Sequence, residues 1–198
     1  TNEVQWNREQ PYDAELGQIQ RITAEDSSKD VYHIELLLDD SNLNYQPGDS
    51  LGVWASNDPQ VVTQILETLD ISASEDVQLD GQQLNIAEAL TDHLEITRLT
   101  TAIVNSYAEI ASQPTLESSF SSLSSARQQS FIEQRQLVDL VEDYPGKVDA
   151  QQLVDSLRAL APRSYSIASS QRTVDEEVHL TVATLHSNAN GNARHGVA

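Results

Sequence analysis

The sequence predicts a mixed α+β fold in which a helical region interrupts an antiparallel β-structure. Up to about residue 60, and again after about residue 160, apolar residues alternate with polar ones or form short continuous runs, which is typical of strands. Between these zones the apolar residues recur with the helical spacing of about 3.6. The length of 198 residues suits one large domain or one domain with an inserted subdomain.

The composition excludes several classes of protein. Cysteine is absent from the sequence, which excludes a disulfide scaffold, a thiolate metal site and a cysteine nucleophile. Asp and Glu outnumber Lys and Arg by 31 to 11, and the net charge of −20 leaves too few cations for binding a nucleic-acid backbone. No apolar run has membrane-spanning length and no targeting segment is evident, so we expect a cytoplasmic protein. The acidity indicates a solvated surface, with steering of a basic partner as the alternative.

The first zone is predicted to contain three strands. Gly17 to Ile22 and Val31 to Leu38 carry strand-like apolar patterns and are joined by a turn-rich connector. Tyr45 to Asp49 is predicted as a turn because it contains a Pro-Gly pair. Leu51 to Trp54 then follows as a short buried strand.

The middle zone is predicted to begin with a helix at Asp58. Asp58 is a favourable N-cap residue, Pro59 suits the first helical position, and apolar residues continue at helical spacing to Leu69. Further helices are predicted at Ile86 to Leu90, Ala102 to Ile110, Ala126 to Val141 and Ala150 to Leu160.

Two stretches of the middle zone allow more than one interpretation. Ser118 to Ser125 is rich in serine and is predicted as a loop packed between helices rather than as a linker. The acidic residues Asp139, Glu142 and Asp143 are interpreted as a solvated helix face, because no histidine joins them at metal-ligand spacing.

The last zone returns to strands. Tyr165 to Ala168 and Val178 to Leu185 are rich in apolar and β-branched residues and are predicted to be two strands of one sheet. Asn188 to Asn192 contains an Asn-Gly turn signal, after which Ala193 to Ala198 is expected to begin a returning segment.

The sequence shows no motif of a hydrolase, metalloprotease or nucleotide-binding loop. Its five histidines are scattered, and His179 is interpreted as a packing residue of a strand. His186 and His195 flank the Asn-Gly turn and could face each other across a hairpin, but they lack further ligands. We therefore predict no metal site.

A polar cluster at Arg163-Ser164-Tyr165-Ser166 is the main candidate for chemistry. In a strand, Arg163 and Tyr165 share one face while Ser164 and Ser166 share the other. A guanidinium beside an aromatic ring suits a ligand that has both a phosphate group and a flat ring system. The alternative, which composition alone favours, is a surface ion pair of the arginine beside a core tyrosine.

These residues resemble the Arg-x-Tyr-Ser motif of the ferredoxin-NADP reductase superfamily. The surrounding sequence agrees with this resemblance in YQPGDSLGVWASNDP at 45–59, LAPRSYSIASS at 160–170, EVHLTVAT at 177–184 and the closing HGVA. The chain is similar to the diflavin reductases and, among them, to the FAD-binding region of assimilatory NADPH-sulfite reductase flavoproteins. The similarity covers nearly the whole chain.

The resemblance implies an antiparallel flavin-binding β-barrel interrupted by a mostly α-helical connecting subdomain. The first part of the barrel is expected at residues 11–60, the connecting subdomain at 61–160 and the second, incomplete part of the barrel at 161–198. On this interpretation the chain ends before an NADPH domain, and an FMN domain also belongs to a longer protein.

The resemblance also implies roles for individual residues. Arg163 would hold the FAD pyrophosphate, Tyr165 would stack on the isoalloxazine ring, and Ser166 would bond near the hydride-accepting ring nitrogen, as the candidate catalytic residue. Ser164 belongs to the same cofactor-binding motif. Further cofactor-binding positions are Thr97, Thr181, Val182, Ala183, Gly196, Val197 and Ala198. Ser187 departs from the family, where a tyrosine that stacks on adenine is common.

The function implied by the resemblance is electron transfer from NADPH through FAD and FMN to a haem-containing sulfite reductase beta subunit, which reduces sulfite to sulfide. Two alternatives stay open at this point. One is a diflavin reductase that serves another acceptor. The other is an acidic protein-interaction module that carries no flavin.

Overall fold

The computed structural model describes residues 6–184 in full and, for residues 186–189 and 192–195, the course of the backbone. The fully described part divides into two compact units. Residues up to Ala55 and from Pro162 to Thr184 form the first unit, and Ser56–Ala161 form the second. Helices and antiparallel strands are both present, which confirms the mixed α+β class.

The elements follow one another along the described chain in this order: β1 (Glu15–Arg21), β2 (Val31–Leu37), β3 (Ser50–Val53), α1 (Pro59–Leu69), β4 (Asp76–Leu79), β5 (Gln82–Asn85), α2 (Ile86–Glu88), α3 (Thr101–Ile110), α4 (Pro114–Ser121), α5 (Ser125–Glu133), α6 (Leu137–Asp143), α7 (Ala150–Ser156), β6 (Arg163–Ser166), α8 (Gln171–Val174), β7 (Glu177–Ala183), β8 (His186–Ala189) and β9 (Asn192–His195). A π-helical turn, Ala89–His93, continues α2. None of the described helices is long and apolar enough to cross a membrane.

The first unit contains two antiparallel sheets. β2 lies between β1 and β7 in one sheet, and β3 pairs with β6 in the other. Val178, Leu180 and Val182 alternate along β7 with more exposed residues and face a small apolar core that also includes Leu38 and Ile167. Within the described residues neither sheet closes on itself.

The second unit has a larger apolar core, to which most of its helices contribute. The predicted start of α1 is confirmed, because the Asp58 side chain accepts a hydrogen bond from the Gln60 N–H at 2.8 Å and Pro59 is the first helical residue. Buried residues of α1 recur at helical spacing: Val62, Ile65, Leu66 and Leu69. The helix predicted at Ile86 to Leu90 is also present as α2 and the π-helical turn.

The prediction of one continuous helix from Ala126 to Val141 is wrong, because two helices, α5 and α6, occupy that stretch. The main-chain N–H of Gln136 donates to Asp139 Oδ2 at 2.8 Å, and the N–H of Leu137 donates to the carbonyl of Ile96 at 3.0 Å. These bonds begin a new helix at Leu137. Asp139 is therefore a buried capping residue and not part of a solvated face.

The loop predicted at Ser118 to Ser125 is shorter than expected, because α4 runs from Pro114 to Ser121 and α5 begins at Ser125, which leaves residues 122–124 between the two helices. Leu116 and Phe120 lie four residues apart on one face of this helix and are both buried. Their burial outweighs the low helix propensity of the serines between them.

The helix predicted to reach Leu160 ends earlier, at Ser156. The chain turns extended at Leu157, and the residues that follow bond to another segment instead of continuing the helix. The N–H of Glu95 donates to the carbonyl of Arg158 at 2.9 Å, and the N–H of Leu160 donates to the carbonyl of His93 at 2.7 Å.

A hairpin of β4 and β5 stands within the zone that was predicted to be helical. Its two turn residues, Asp80 and Gly81, both have positive φ, at 49° and 81°. This is the backbone of a type I′ turn, for which an Asp-Gly pair is a strong signal. The prediction of a helical zone did not take this Asp-Gly signal into account.

The strands around Tyr165 and Val178 belong to different sheets, so the prediction that they share one sheet is wrong. β6 pairs with β3, and only an isolated bridge, Ile167 to Leu180, links the segment after β6 to β7. The predicted hairpin near the end of the sequence is represented by β8 and β9, which pair with His186 opposite His195.

Candidate functional site

The Arg-Ser-Tyr-Ser motif forms the whole of β6. In its ladder with β3, Arg163 lies opposite Val53 and Tyr165 lies opposite Leu51. Both Arg163 and Tyr165 are half-buried, whereas Ser164 and Ser166 between and after them are exposed. The strand therefore presents a guanidinium and an aromatic ring on one face and two hydroxyl groups on the other.

Tyr165 packs against the small apolar core of the first unit, together with Leu51 and Val53. Burial raises the pKa of the Tyr165 phenol above its ordinary value, and the positive charge of Arg163 partly opposes that rise. The guanidinium is thus close enough to the phenol to act on it electrostatically. The phenol stays protonated at neutral pH.

The segment that follows the motif is held by hydrogen bonds that the sequence analysis did not foresee. The N–H of Ile167 donates to the carbonyl of Asp49 at 2.8 Å, and the N–H of Ala168 donates to the carbonyl of His179 at 2.9 Å. Buried Ser169 accepts the His179 N–H at 3.0 Å, and its hydroxyl lies 2.8 Å from the hydroxyl of Tyr45.

Two further bonds tie the same segment to the loop before β3. The Tyr45 hydroxyl donates to the carbonyl of Glu177 at 2.5 Å, and the side chain of Gln171 bonds both the N–H of Tyr45 (3.1 Å) and the carbonyl of Leu43 (2.9 Å). Tyr45, Ser169 and Gln171 are therefore positioning residues for the end of β6. Ser169 and Gln171 closely follow the motif in the sequence, whereas Tyr45 lies far from it along the chain.

The three candidate residues on β7 do not share one environment. Val182 is buried in the small apolar core, whereas Thr181 and Ala183 are exposed on the opposite face of the strand. All three pair with β2 along one edge of β7, and among the described residues the bridging along its other edge stops at Leu180. Within the described residues, no strand pairs with that other edge at Thr181, Val182 and Ala183.

Thr97 lies in the second unit, and its polar atoms are engaged locally. Its hydroxyl donates to Glu95 Oε1 at 2.6 Å and its N–H donates to the same oxygen at 2.9 Å, while the N–H of Arg98 makes a third bond at 3.1 Å. Glu95 is buried, so these bonds stabilise a carboxylate that is removed from water. The β6 motif belongs to the first unit.

The remaining candidates cannot be placed in the same detail. Gly196, Val197 and Ala198 lie outside the described residues. Ser187 belongs to β8, where only the course of the backbone is described.

The side chains on β6 carry the types of chemical group that bind a flavin nucleotide. Arg163 supplies the forked N–H donors that match phosphate oxygens, in a chain that is otherwise strongly acidic. Tyr165 supplies an aromatic ring with part of its surface accessible, and Ser166 supplies an exposed hydroxyl two strand positions from Ser164. A pyrophosphate and a flat ring match the groups on one face of β6, and polar ring atoms match the hydroxyl groups on the other face.

Comparisons with known proteins agree with this chemistry. Residues 5–198 match the family model of the FAD binding domain. The chain is 45% identical over 195 residues to the sulfite reductase (NADPH) flavoprotein alpha-component of Mannheimia succiniciproducens, covering 98% of this chain and 32% of that protein. Proteins with the same name from Vibrio cholerae and Photorhabdus laumondii are 43% identical over 198 residues and 41% identical over 193 residues, covering 100% and 98% of this chain and 32% of each relative. The chain spans about a third of the length of these curated relatives.

Proposed function

Since this chain belongs to the FAD-binding domain family, we propose that it is the FAD-holding segment of a longer NADPH-dependent reductase. The observation that carries the proposal is the arrangement on β6, where half-buried Arg163 and Tyr165 share one face and exposed Ser166 lies on the other. The similarity of the chain to sulfite reductase flavoproteins supports sulfite reduction as the purpose of the longer protein.

Within this proposal each residue of β6 contacts a different part of the cofactor. The Arg163 guanidinium binds the FAD pyrophosphate through paired N–H donors. The Tyr165 ring stacks on the isoalloxazine, and the raised pKa of its phenol keeps that ring neutral. Ser166 donates its hydroxyl proton near the hydride-accepting nitrogen, and Ser164 lies on the same exposed face.

Other positions complete the proposed site. The main chain of Thr181, Val182 and Ala183 offers bonds to the flavin from the open edge of β7. Gly196, Val197 and Ala198 are proposed to contact the pyrophosphate, on the family resemblance alone. Thr97 would contribute oxygen lone pairs rather than a proton, because its hydroxyl already donates to Glu95.

We further propose that residues 11–60 and 161–198 belong to an antiparallel flavin-binding barrel, that residues 61–160 form the connecting subdomain, and that the chain ends before an NADPH domain. This division is supported by the family resemblance and by the separation of two compact units. In the longer protein, FAD held by these residues would supply the redox chemistry between NADPH and, through FMN, a haem-containing sulfite reductase beta subunit. The proposed location of this reaction is the cytoplasm.

Flavin titration of the purified protein tests the proposal. Bound FAD should show quenched fluorescence, and Arg163→Ala should weaken FAD binding about 10- to 150-fold, the loss expected for one charge-assisted contact. Arg172→Ala is the matched control, because it removes the same charge from an exposed position on neighbouring α8. Equal effects of these two substitutions would refute the phosphate role of Arg163.

Competition with ADP distinguishes residues that bind the diphosphate from residues that bind the isoalloxazine ring, since ADP carries a diphosphate but no such ring. Arg163→Ala should weaken the affinity for ADP, given as its inhibition constant, as well as the affinity for FAD. Tyr165→Ala should weaken FAD binding while leaving the affinity for ADP unchanged. Loss of ADP affinity in the tyrosine variant would assign its ring to another part of the ligand.

A further inference from the structure

A cluster of histidines and glutamates lies on the outward face of the three-stranded sheet. His33 and Glu35 are two residues apart on β2, and Glu177 and His179 are two residues apart on β7, so each pair shares a face. Glu35 lies directly opposite His179 in the ladder, and these four side chains project away from the apolar core that Leu180 helps to form.

The ring nitrogens and carboxylates of this cluster converge. His33 Nε2 lies 3.2 Å from Glu35 Oε1, and His179 Nε2 lies 3.0 Å from Glu177 Oε2. The two imidazole rings meet edge to face with centroids 4.9 Å apart. One ligand atom from each of His33, Glu35 and His179 falls within 4.8 Å of the others.

The same groups are partly shielded yet open to solvent. The side chains of His33, Glu35 and His179 are 28%, 25% and 17% exposed. An ion can therefore enter from solvent, and because the ligand atoms are partly shielded, water competes less strongly with them for the ion. The exposed hydroxyl-bearing residue Thr181, opposite His33 in the ladder, borders the cluster.

We propose that His33, Glu35 and His179 bind one divalent transition-metal ion, with Zn²⁺ as the best-matched probe. Two imidazoles and one carboxylate form a zinc ligand set that leaves a fourth position for water. Bonds of about 2.0–2.2 Å in tetrahedral geometry place ligand atoms about 3.3–3.5 Å apart. The His33 and Glu35 atoms already have nearly this separation, and side-chain rotation can bring in the His179 nitrogen.

Glu177 strengthens the site without being a ligand. When the Nε2 proton of His179 is donated to Glu177, the lone pair of that imidazole is left on Nδ1. A carboxylate that holds the second ring nitrogen fixes the tautomer and makes the imidazole a better ligand. The sequence alone did not predict this cluster, because β2 and β7 are far apart along the chain and no spacing motif links their histidines.

Zinc titration of the purified, EDTA-treated and dialysed protein by calorimetry, without added flavin, tests the site. We expect one Zn²⁺ per chain and at least a tenfold weaker affinity in each of the variants His33→Gln, Glu35→Gln and His179→Gln. His93→Gln, at an exposed position of the second unit, is the matched control and should bind as the unaltered protein does. Absence of zinc binding, or equal binding in all variants, would overturn the proposal.

The histidine pair of β8 and β9 is the competing site. His186 lies opposite His195 in that hairpin, so His186→Gln is included in the titration. Loss of zinc binding in this variant alone would overturn the assignment to the three-stranded sheet.

A second measurement on the unaltered protein does not depend on the folding of any variant. Diethyl pyrocarbonate modifies accessible imidazoles, and mass spectrometry identifies the modified residues. Zinc should protect His33 and His179 from modification but not His93. Unchanged modification of His33 and His179 at saturating zinc would overturn the proposal.

Discussion

Tyr107 provides a direct test of how burial controls charge in the second unit. Its ring is fully buried in the apolar core, and its hydroxyl donates to the carbonyl of Tyr144 at 2.8 Å. Burial raises the pKa of the phenol from 10.0 to about 12. The folded chain therefore holds this proton at pH values where an unfolded chain has already lost it.

The sign of the pH dependence follows from this difference. The contribution of Tyr107 to stability is fully present below pH 10 and is lost as the pH rises from about 10 to about 12. Two pKa units correspond to about 3 kcal/mol once the pH exceeds both values. The Tyr107→Phe variant lacks this titration, but it also loses the hydrogen bond, which costs about 1 kcal/mol.

The difference in unfolding free energy between the two proteins should thus change sign. The unaltered protein should be more stable by about 1 kcal/mol up to pH 10, the difference should vanish near pH 11, and the Tyr107→Phe variant should be the more stable one by about 1 kcal/mol at pH 11.5. Urea unfolding followed by far-UV circular dichroism measures both proteins, and other titrating groups cancel in the difference. A constant difference from pH 8 to pH 11.5 would refute the reasoning.

Two further predictions concern close packing and buried polar groups. Gly146→Ala should destabilise the protein by about 1–3 kcal/mol in urea unfolding, because the added Cβ would lie 2.5 Å from the carbonyl oxygen of Ala111. Gly52→Ala, whose Cβ would meet nothing closer than 3.7 Å, should change stability by less than about 0.5 kcal/mol. Asn57→Ala should raise the unfolding rate and lower stability by about 2–3 kcal/mol, since its buried side chain donates to two main-chain carbonyls at 2.7 Å. Exposed Asn44→Ala is its control, and equal losses in the two asparagine variants would contradict this account.

Features that depend on neighbouring residues were predictable. The start of α1 needed only Asp58, Pro59 and the apolar spacing after them, and the two faces of β6 needed only the alternation of a strand. The flavin interpretation likewise came from a contiguous motif around Arg163 and Tyr165, and the family match agrees with it.

Features that depend on long-range competition were not predictable. Apolar pattern alone allowed β6 to pair with β7, but the hydrogen-bonded partner is β3. At the start of helix α6, the N–H of Leu137 bonds to Ile96, a residue far away in the sequence, in addition to the local cap that Asp139 supplies. The serine-rich stretch around Phe120 is helical because the helix buries this side chain.

The sequence by itself determined the fold class, the helix cap at Asp58 and the resemblance to the FAD-binding family, because each depends on residues that are neighbours along the chain. Only the tertiary structure decided that Ser169 and Tyr45 hold the end of β6 and that His33 approaches His179. The physical reason is strand register, which sets which side chains of distant segments share a face and which lose contact with water.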